Sequence, residues 1–108
     1  MHWIYAHLIG DFLFQPNVLA LNKKQSSLHC LGHICIYMIP FFFCNLSWLQ
    51  FLLIAIQHFL VDRFDVVTPW TKFFKSDRFL DKPLFPWSYI VIDQIFHILW
   101  IAFVIEYI

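Results

Sequence analysis

The sequence from Trp87 to Tyr107, WSYIVIDQIFHILWIAFVIEY, decides the fold class of this chain. Its length and apolar character match a membrane-spanning helix, which needs about 20 mostly apolar residues. It also carries Asp93 and His97, although an ionisable side chain inside a bilayer is costly and usually belongs to a functional site. We therefore predict a membrane helix with one polar face, which other helices must cover.

The composition of the whole chain also predicts a membrane protein. Hydrophobic residues make up 61% of it and charged residues only 13%, against about 45–50% and about 25% in soluble domains. The length allows one domain, residues 1–108, and so short a domain has too little interior to hide this much apolar surface from water. Seven basic residues balance seven acidic ones. The expected partner is therefore the lipid bilayer, and no nucleic-acid partner is predicted.

The remaining apolar stretches predict an all-α, integral membrane bundle of about four transmembrane helices. Pro16 is expected to kink the first of them. Between the third and fourth spans, aromatic and basic residues follow Thr68-Pro69 at helical spacing, which predicts a short interfacial amphipathic helix. The predicted spans are residues 2–21, 28–44, 47–66 and 87–107.

The basic residues predict the orientation of the bundle. All seven Lys and Arg residues lie in the loop between the first two spans, or in the connection between the last two and its flank. Loops rich in Lys and Arg stay on the cytoplasmic side. Both termini are therefore expected on the outer side of the membrane.

Each predicted span contains one pair of ionisable residues four positions apart, which places both members on one face of a helix. An Asp near the centre of a membrane helix costs about 2.5–3.5 kcal/mol, so these faces are expected to point into the bundle. The pairs are His7 and Asp11, His29 and His33, His58 and Asp62, and Asp93 and His97.

Imidazole and carboxylate groups are ligands of zinc, manganese and iron ions. We therefore predict a divalent transition-metal site, to which all eight residues of the four pairs are candidate ligands. Eight ligands exceed the needs of one tetrahedral ion, so either two ions bind or some pairs support the ligands. Two alternatives stay open. The pairs form only interhelical hydrogen bonds, worth about 0.6–2 kcal/mol, or they form a proton or ion pathway.

The polar motifs also resemble those of a known family. The opening His7-Leu8-Ile9-Gly10-Asp11-Phe12-x-x-Gln15, the Lys23-Lys24 turn, His29, the His58-x-x-x-Asp62 motif and the closing Asp93-Gln94-x-x-His97 are similar to a bacterial family of small membrane proteins, domain of unknown function 3307. The resemblance covers nearly the whole chain. It implies a multi-pass protein of the bacterial inner membrane, but no reaction. A looser likeness, in ligand chemistry alone, connects the pairs with helical zinc-dependent phospholipase C and nuclease enzymes.

Together these features predict a membrane-embedded, metal-dependent hydrolase of a phosphate ester or lipid. The bound ion would generate hydroxide from water near neutral pH. Lys23 and Arg63, at the basic mouth of the bundle, are candidate phosphate-binding residues, although basic residues there also serve as ordinary membrane anchors. The candidate catalytic residues are Asp11, Asp62, Asp93 and His33.

Other classes of function fit the same pairs. A proton or metal-ion transporter or channel component would need a homo-oligomer, because four short helices enclose little path. A structural subunit of a larger membrane complex would use the polar core only for assembly. A haem protein is disfavoured, because carboxylates accompany most of the histidines.

Overall fold

A computed structural model describes the chain over residues 1–13, 25–75, 77–81, 83, 85 and 87–108. This part of the chain is all-helical and contains no strand. A π-helical segment, Ile9–Leu13, continues the first helix, and 3-10 segments follow the second and fourth helices at Ile39–Phe43 and Asp77–Leu80. The α-helices of the described residues are α1 (Trp3–Leu8), α2 (Ser27–Met38), α3 (Trp48–Phe64), α4 (Val67–Phe74) and α5 (Trp87–Tyr107).

The all-helical prediction is confirmed, and the four spans stay a prediction. Among the described residues, α5 is the helix long and apolar enough to cross a membrane by length and composition. The stretch Ser27–Phe43 is apolar but shorter. The second half of the first predicted span, with Gln15 and Pro16, lies outside the described residues.

Serine residues cap the N-termini of two of the helices. The hydroxyl of Ser26 accepts a hydrogen bond from a backbone N–H in the first turn of α2. The hydroxyl of Ser47 likewise accepts from the backbone N–H of Gln50, whose side chain accepts from the Ser47 N–H in return. This reciprocal pair is a capping box, which satisfies N–H groups that the first turn of a helix leaves without a partner.

The junction between α3 and α4 is made by Asp65. This residue ends α3 in the left-handed conformation, with φ of 49°. Its carboxylate accepts hydrogen bonds from the backbone N–H and the hydroxyl of Thr68, at 3.3 and 3.1 Å. The short amphipathic helix therefore begins at Val67, slightly before the predicted start at Thr68.

The apolar and polar residues occupy successive levels along the long helices. Helix α3 packs against both α2 and α5, and α1 packs against α5. On α5, Ile101 and Val104 join a buried apolar cluster, whereas Ile92 joins a second one near α4. Asp93 and His97 of α5 lie between these two levels. The larger cluster, called the apolar core below, consists of Ala6, Cys30, Ile34, Tyr37, Met38, Phe41, Ile54, Ile101 and Val104.

Candidate metal centre

Four polar side chains converge where the π-helical segment meets α2 and α3. Asp62 Oδ2 lies 2.9 Å from His33 Nε2 and 3.0 Å from His58 Nε2, and these two nitrogens are 2.9 Å apart. Asp11 Oδ1 lies 3.5 and 3.7 Å from the same two nitrogens. His33 and Asp62 are fully buried. We call these four residues the first cluster.

The spacing of these four atoms is that of a coordination shell. Ligand atoms that bind a tetrahedral ion at about 2.0–2.1 Å lie about 3.3–3.4 Å from one another. The five separations above bracket that value, from 2.9 to 3.7 Å. Three of the atoms are mutually within 3.0 Å, and they cannot all be joined by linear hydrogen bonds because each ring nitrogen carries at most one hydrogen. A metal ion among them would remove this conflict, because all three lone pairs could then point at it.

Asp11 reaches the cluster because the chain packs closely against α2 at the preceding residue. A Cβ atom added at Gly10 would lie 2.5 Å from the backbone oxygen of Tyr37. That separation is shorter than a carbon and an oxygen atom tolerate, so the close approach requires glycine. The surrounding segment is π-helical, a local widening of the helix that is frequent at functional sites. This backbone places the Asp11 carboxylate beside His33.

A second cluster shares Asp62 with the first. The other oxygen of Asp62, Oδ1, lies 3.2 Å from His97 Nε2, which is 3.5 Å from Asp93 Oδ1. Asp93 is only 8% exposed. Its Oδ1 has no hydrogen-bond partner among the described residues. The two oxygens of Asp62 therefore face two different groups of ligand atoms.

Gln57 fixes the orientation of His97. Its side-chain NH₂ group donates to the backbone oxygen of Phe96 at 3.4 Å, which turns its Oε1 toward His97 Nδ1, at 3.3 Å. Because an amide oxygen only accepts, Nδ1 of His97 carries a proton. In the neutral imidazole, Nε2 then presents its lone pair to the carboxylates. Histidine ligands of metal ions are commonly held in this way, with the second ring nitrogen donating to an oxygen.

A row of hydrogen bonds from Tyr37 to Asp11 includes His7. The NH₂ group of Gln94 donates to Asp11 Oδ2 at 2.7 Å, so Gln94 Oε1 faces His7 Nε2, at 2.6 Å. His7 Nε2 must therefore donate, and its Nδ1 accepts from the hydroxyl of Tyr37 at 2.6 Å. The row holds one oxygen of Asp11 and directs the other at the first cluster.

Ring stacking holds His58. Its imidazole lies between the rings of Tyr37 and His97, with centroid distances of 3.8 and 3.9 Å and interplanar angles of 22° and 23°. His58 Nδ1 has no hydrogen-bond partner in the described part of the chain. Stacking on both faces therefore takes the place of the hydrogen bond that orients His97.

The ionisable residues of the opening, middle and closing sequence motifs thus lie close together inside the bundle: His7, Asp11, His58, Asp62, Asp93 and His97. A family model described as "Protein of unknown function (DUF3307)" matches residues 1–108. The chain belongs to this family. The match confirms the resemblance predicted from the motifs. Comparison with the curated proteins and with the solved structures gives no match.

Most of the ligands predicted for this DUF3307 chain lie in the two clusters. His7 instead uses both ring nitrogens in hydrogen bonds to Tyr37 and Gln94. His29 is partly buried one turn before His33, and its Nδ1 has no hydrogen-bond partner among the described residues. The residues brought together are Asp11, His33, His58, Asp62, Asp93 and His97.

Of the predicted phosphate-binding residues, the structure describes Arg63. Its Nε donates to the hydroxyl of Ser27 at 3.1 Å, and its guanidinium lies 5.4 Å from the ring centre of Phe64. Lys23 lies outside the described residues.

The supporting roles of three residues in this DUF3307 chain were not predicted from the sequence, although Gln94 stands in the closing motif: Tyr37, Gln57 and Gln94. A signal for the two glutamines exists, because an amide within an apolar helix is costly unless it is hydrogen-bonded. Gln57 and Gln94 directly neighbour His58 and Asp93 in sequence, but adjacent positions point to different sides of a helix. Their roles therefore depend on which neighbouring helices surround them.

Proposed function

We propose that this chain is a membrane-embedded, metal-dependent hydrolase of a phosphate ester, with a divalent transition-metal ion (Zn, Mn or Fe) bound inside a helix bundle. The first cluster carries this proposal, since its atoms have the spacing of a coordination shell. Its three most closely spaced atoms belong to two imidazoles and one carboxylate. Two His and one acidic residue are also a donor set of catalytic zinc sites, which keep a further position for water.

The distribution of apolar side chains supports a membrane location. His58 and Asp62 of α3 and Asp93 and His97 of α5 face inward. The outward faces of the same helices are mostly apolar, which suits lipid better than water. With 17 residues, α3 lies at the lower end of the length that spans a bilayer. The exposed apolar residues at helical spacing are Leu49, Leu52, Ile56 and Leu60 on α3, and Val91, Ile95, Leu99 and Phe103 on α5.

Burial of the carboxylates supports metal binding. A buried charge is tolerated when it is paired or bound to a metal ion. Asp62 is fully buried and has three imidazole nitrogens within 3.2 Å of its two oxygens. A divalent cation would compensate this carboxylate and use the imidazoles as neutral ligands.

The position of Asp11 supports hydrolysis. Its Oδ1 lies farther from the two imidazole nitrogens than Asp62 Oδ2 does, at 3.5 and 3.7 Å. A water molecule at the remaining coordination position would lie beside this carboxylate, which could accept its proton as a general base. A divalent cation supplies hydroxide near neutral pH, and a phosphate ester is a substrate suited to such a nucleophile.

The experiment is metal analysis joined to an activity assay on protein purified in a mild detergent. We expect bound Zn, Mn or Fe, and chelator-sensitive hydrolysis of bis(p-nitrophenyl) phosphate or of a fluorescent phospholipid in mixed micelles. Asp62→Asn should lose both metal and activity. Asp65→Asn is the matched control, because Asn can still accept from Thr68 and tolerates the left-handed conformation.

Two results would contradict this function. Protein that contains no transition metal, and takes none up from a zinc buffer, would exclude the metal site. Metal-loaded protein that hydrolyses neither substrate would exclude the hydrolase.

A second candidate function is proton or metal-ion transport. The row of hydrogen bonds from Tyr37 through His7 and Gln94 to Asp11 favours it, because connected polar side chains are the parts of proton relays in membranes. Flux of Zn²⁺ or of protons into proteoliposomes, without hydrolysis of either substrate, would select this function over the first.

A further inference from the structure

We propose that the centre binds two metal ions and that the carboxylate of Asp62 bridges them. This inference rests on the proposed function, because the first ion is the one held by the first cluster. The second ion would take Asp62 Oδ1, His97 Nε2 and Asp93 as its ligands. All three residues are buried, and their ligand atoms lie within 4.8 Å of one another.

The proton positions around His97 point to a cation at this place. Gln57 accepts from Nδ1 of His97, so in the neutral imidazole the Nε2 lone pair faces Asp62 Oδ1 at 3.2 Å and Asp93 Oδ1 at 3.5 Å. Three lone pairs directed at one another repel unless a positive charge lies between them. A metal ion or a second proton on His97 provides that charge, and metal analysis distinguishes the two.

Asp93 supplies an independent observation. This residue is 8% exposed, and its Oδ1 has no hydrogen-bond partner among the described residues. A buried carboxylate oxygen without such a bond is costly in a folded protein. Its position one turn before His97 on α5 makes the two residues a pair of ligands from a single helix. Coordination to a metal ion would satisfy Asp93 Oδ1, which has no hydrogen-bond partner among the described residues.

The separation of the two clusters fits a dinuclear centre. The rings of His58 and His97 are nearly parallel, with centroids 3.9 Å apart. Each directs its Nε2 at a different oxygen of Asp62, at 3.0 and 3.2 Å. Ions bound by two stacked imidazoles would have a spacing close to that of the rings. In two-metal hydrolases the ions are about 3.5–4 Å apart.

A dinuclear centre also narrows the class of substrate that we expect. Two ions at this spacing hold both the attacking and the leaving oxygen in the displacement at a phosphorus atom. The class of substrate expected at a carboxylate-bridged pair is therefore a phosphate ester, in preference to a carboxylic ester.

The test is metal stoichiometry on the full chain in detergent, after chelation and reloading with Zn²⁺ alone. We expect about two ions per chain for the wild type and about one for Asp93→Asn. Asp65→Asn should match the wild type. A measurement on the unmutated chain complements the variant: loading with Mn²⁺ should give the electron paramagnetic resonance signature of two spin-coupled ions.

Each other outcome has a definite meaning. Saturation of the wild type at one ion, lost in Asp62→Asn but kept in Asp93→Asn, would overturn the second site and leave the proposed function standing. Two Mn²⁺ ions without spin coupling would overturn the Asp62 bridge. No bound metal at all would overturn both proposals, and a doubly protonated His97 would then be the source of the positive charge.

Discussion

Two adjacent levels of the bundle are both buried, yet different physical rules govern them. The apolar core contains Ile54 and Ile101, and each lies one helical turn from a residue of the metal centre, His58 and His97. Contacts in the apolar core are non-directional, so volume and shape matter most. In the metal centre each atom must be a donor, an acceptor or a ligand in one direction. A substitution that changes only the volume of a side chain should therefore affect mainly the apolar core. One that changes only the type of its atoms should affect mainly the metal centre.

The largest effect is expected from Asp62→Asn, which keeps the volume of the side chain and changes the atoms. A ligand that binds only the folded state stabilises it by about 4 kcal/mol at 1,000 times its Kd. Zinc should therefore raise the thermal stability of the wild type and leave that of Asp62→Asn unchanged. Thermal unfolding in detergent, followed by circular dichroism with and without Zn²⁺, measures this increment. An equal increment in both proteins would mean that zinc binds elsewhere.

Ile54→Ala makes the converse change, since it removes volume and no polar atom. Ile54 is 1% exposed, and truncation of a buried Ile to Ala costs about 2–5 kcal/mol. The free energy of unfolding, measured by titration with sodium dodecyl sulfate, should fall by this amount. The stabilisation by zinc should persist in the folded fraction. Loss of that stabilisation together with the packing energy would show that the two levels are not independent.

The fold was the easier part to predict from the sequence. The apolar run from Trp87 to Tyr107 is a local signal, and it predicts a helix where the structure has α5. The pairing of His58 with Asp62 is local as well, because a spacing of four residues places both on one face. These features need no knowledge of the neighbouring helices.

The different roles of the residues in and around the metal centre could not be predicted in this way. His7 and Asp11 form one more pair at the same spacing, but only Asp11 lies in a cluster of ligand atoms. The reason is that Tyr37 and Gln94 use both ring nitrogens of His7, whereas Gln94 uses only one oxygen of Asp11. Such a partner from a distant part of the chain leaves no periodic trace in the sequence of α1.

Tyr37→Phe tests the border between the two levels, since the ring of Tyr37 belongs to the apolar core and its hydroxyl donates to His7. The ring and its stacking on His58 remain, but the buried Nδ1 of His7 loses its donor, which should cost about 1–3 kcal/mol of stability. The row that holds Asp11 loses its first donor, and loss of such a supporting bond typically lowers metal affinity about 10–100-fold. Competition with a fluorescent zinc chelator measures the Kd. Unchanged affinity would show that the row has no influence on the first cluster.

The smallest effect is expected from Ile101→Val, which removes one methylene group directly beside the metal centre. Ile101 is 1% exposed and lies one turn after His97. Such a truncation costs about 0.5–1.5 kcal/mol, less than any change above. The Kd for zinc should equal that of the wild type, because no donor or ligand atom is altered. A marked loss of zinc affinity would instead show that packing at Ile101 positions His97, and the distinction between the two levels would then fail at their point of contact.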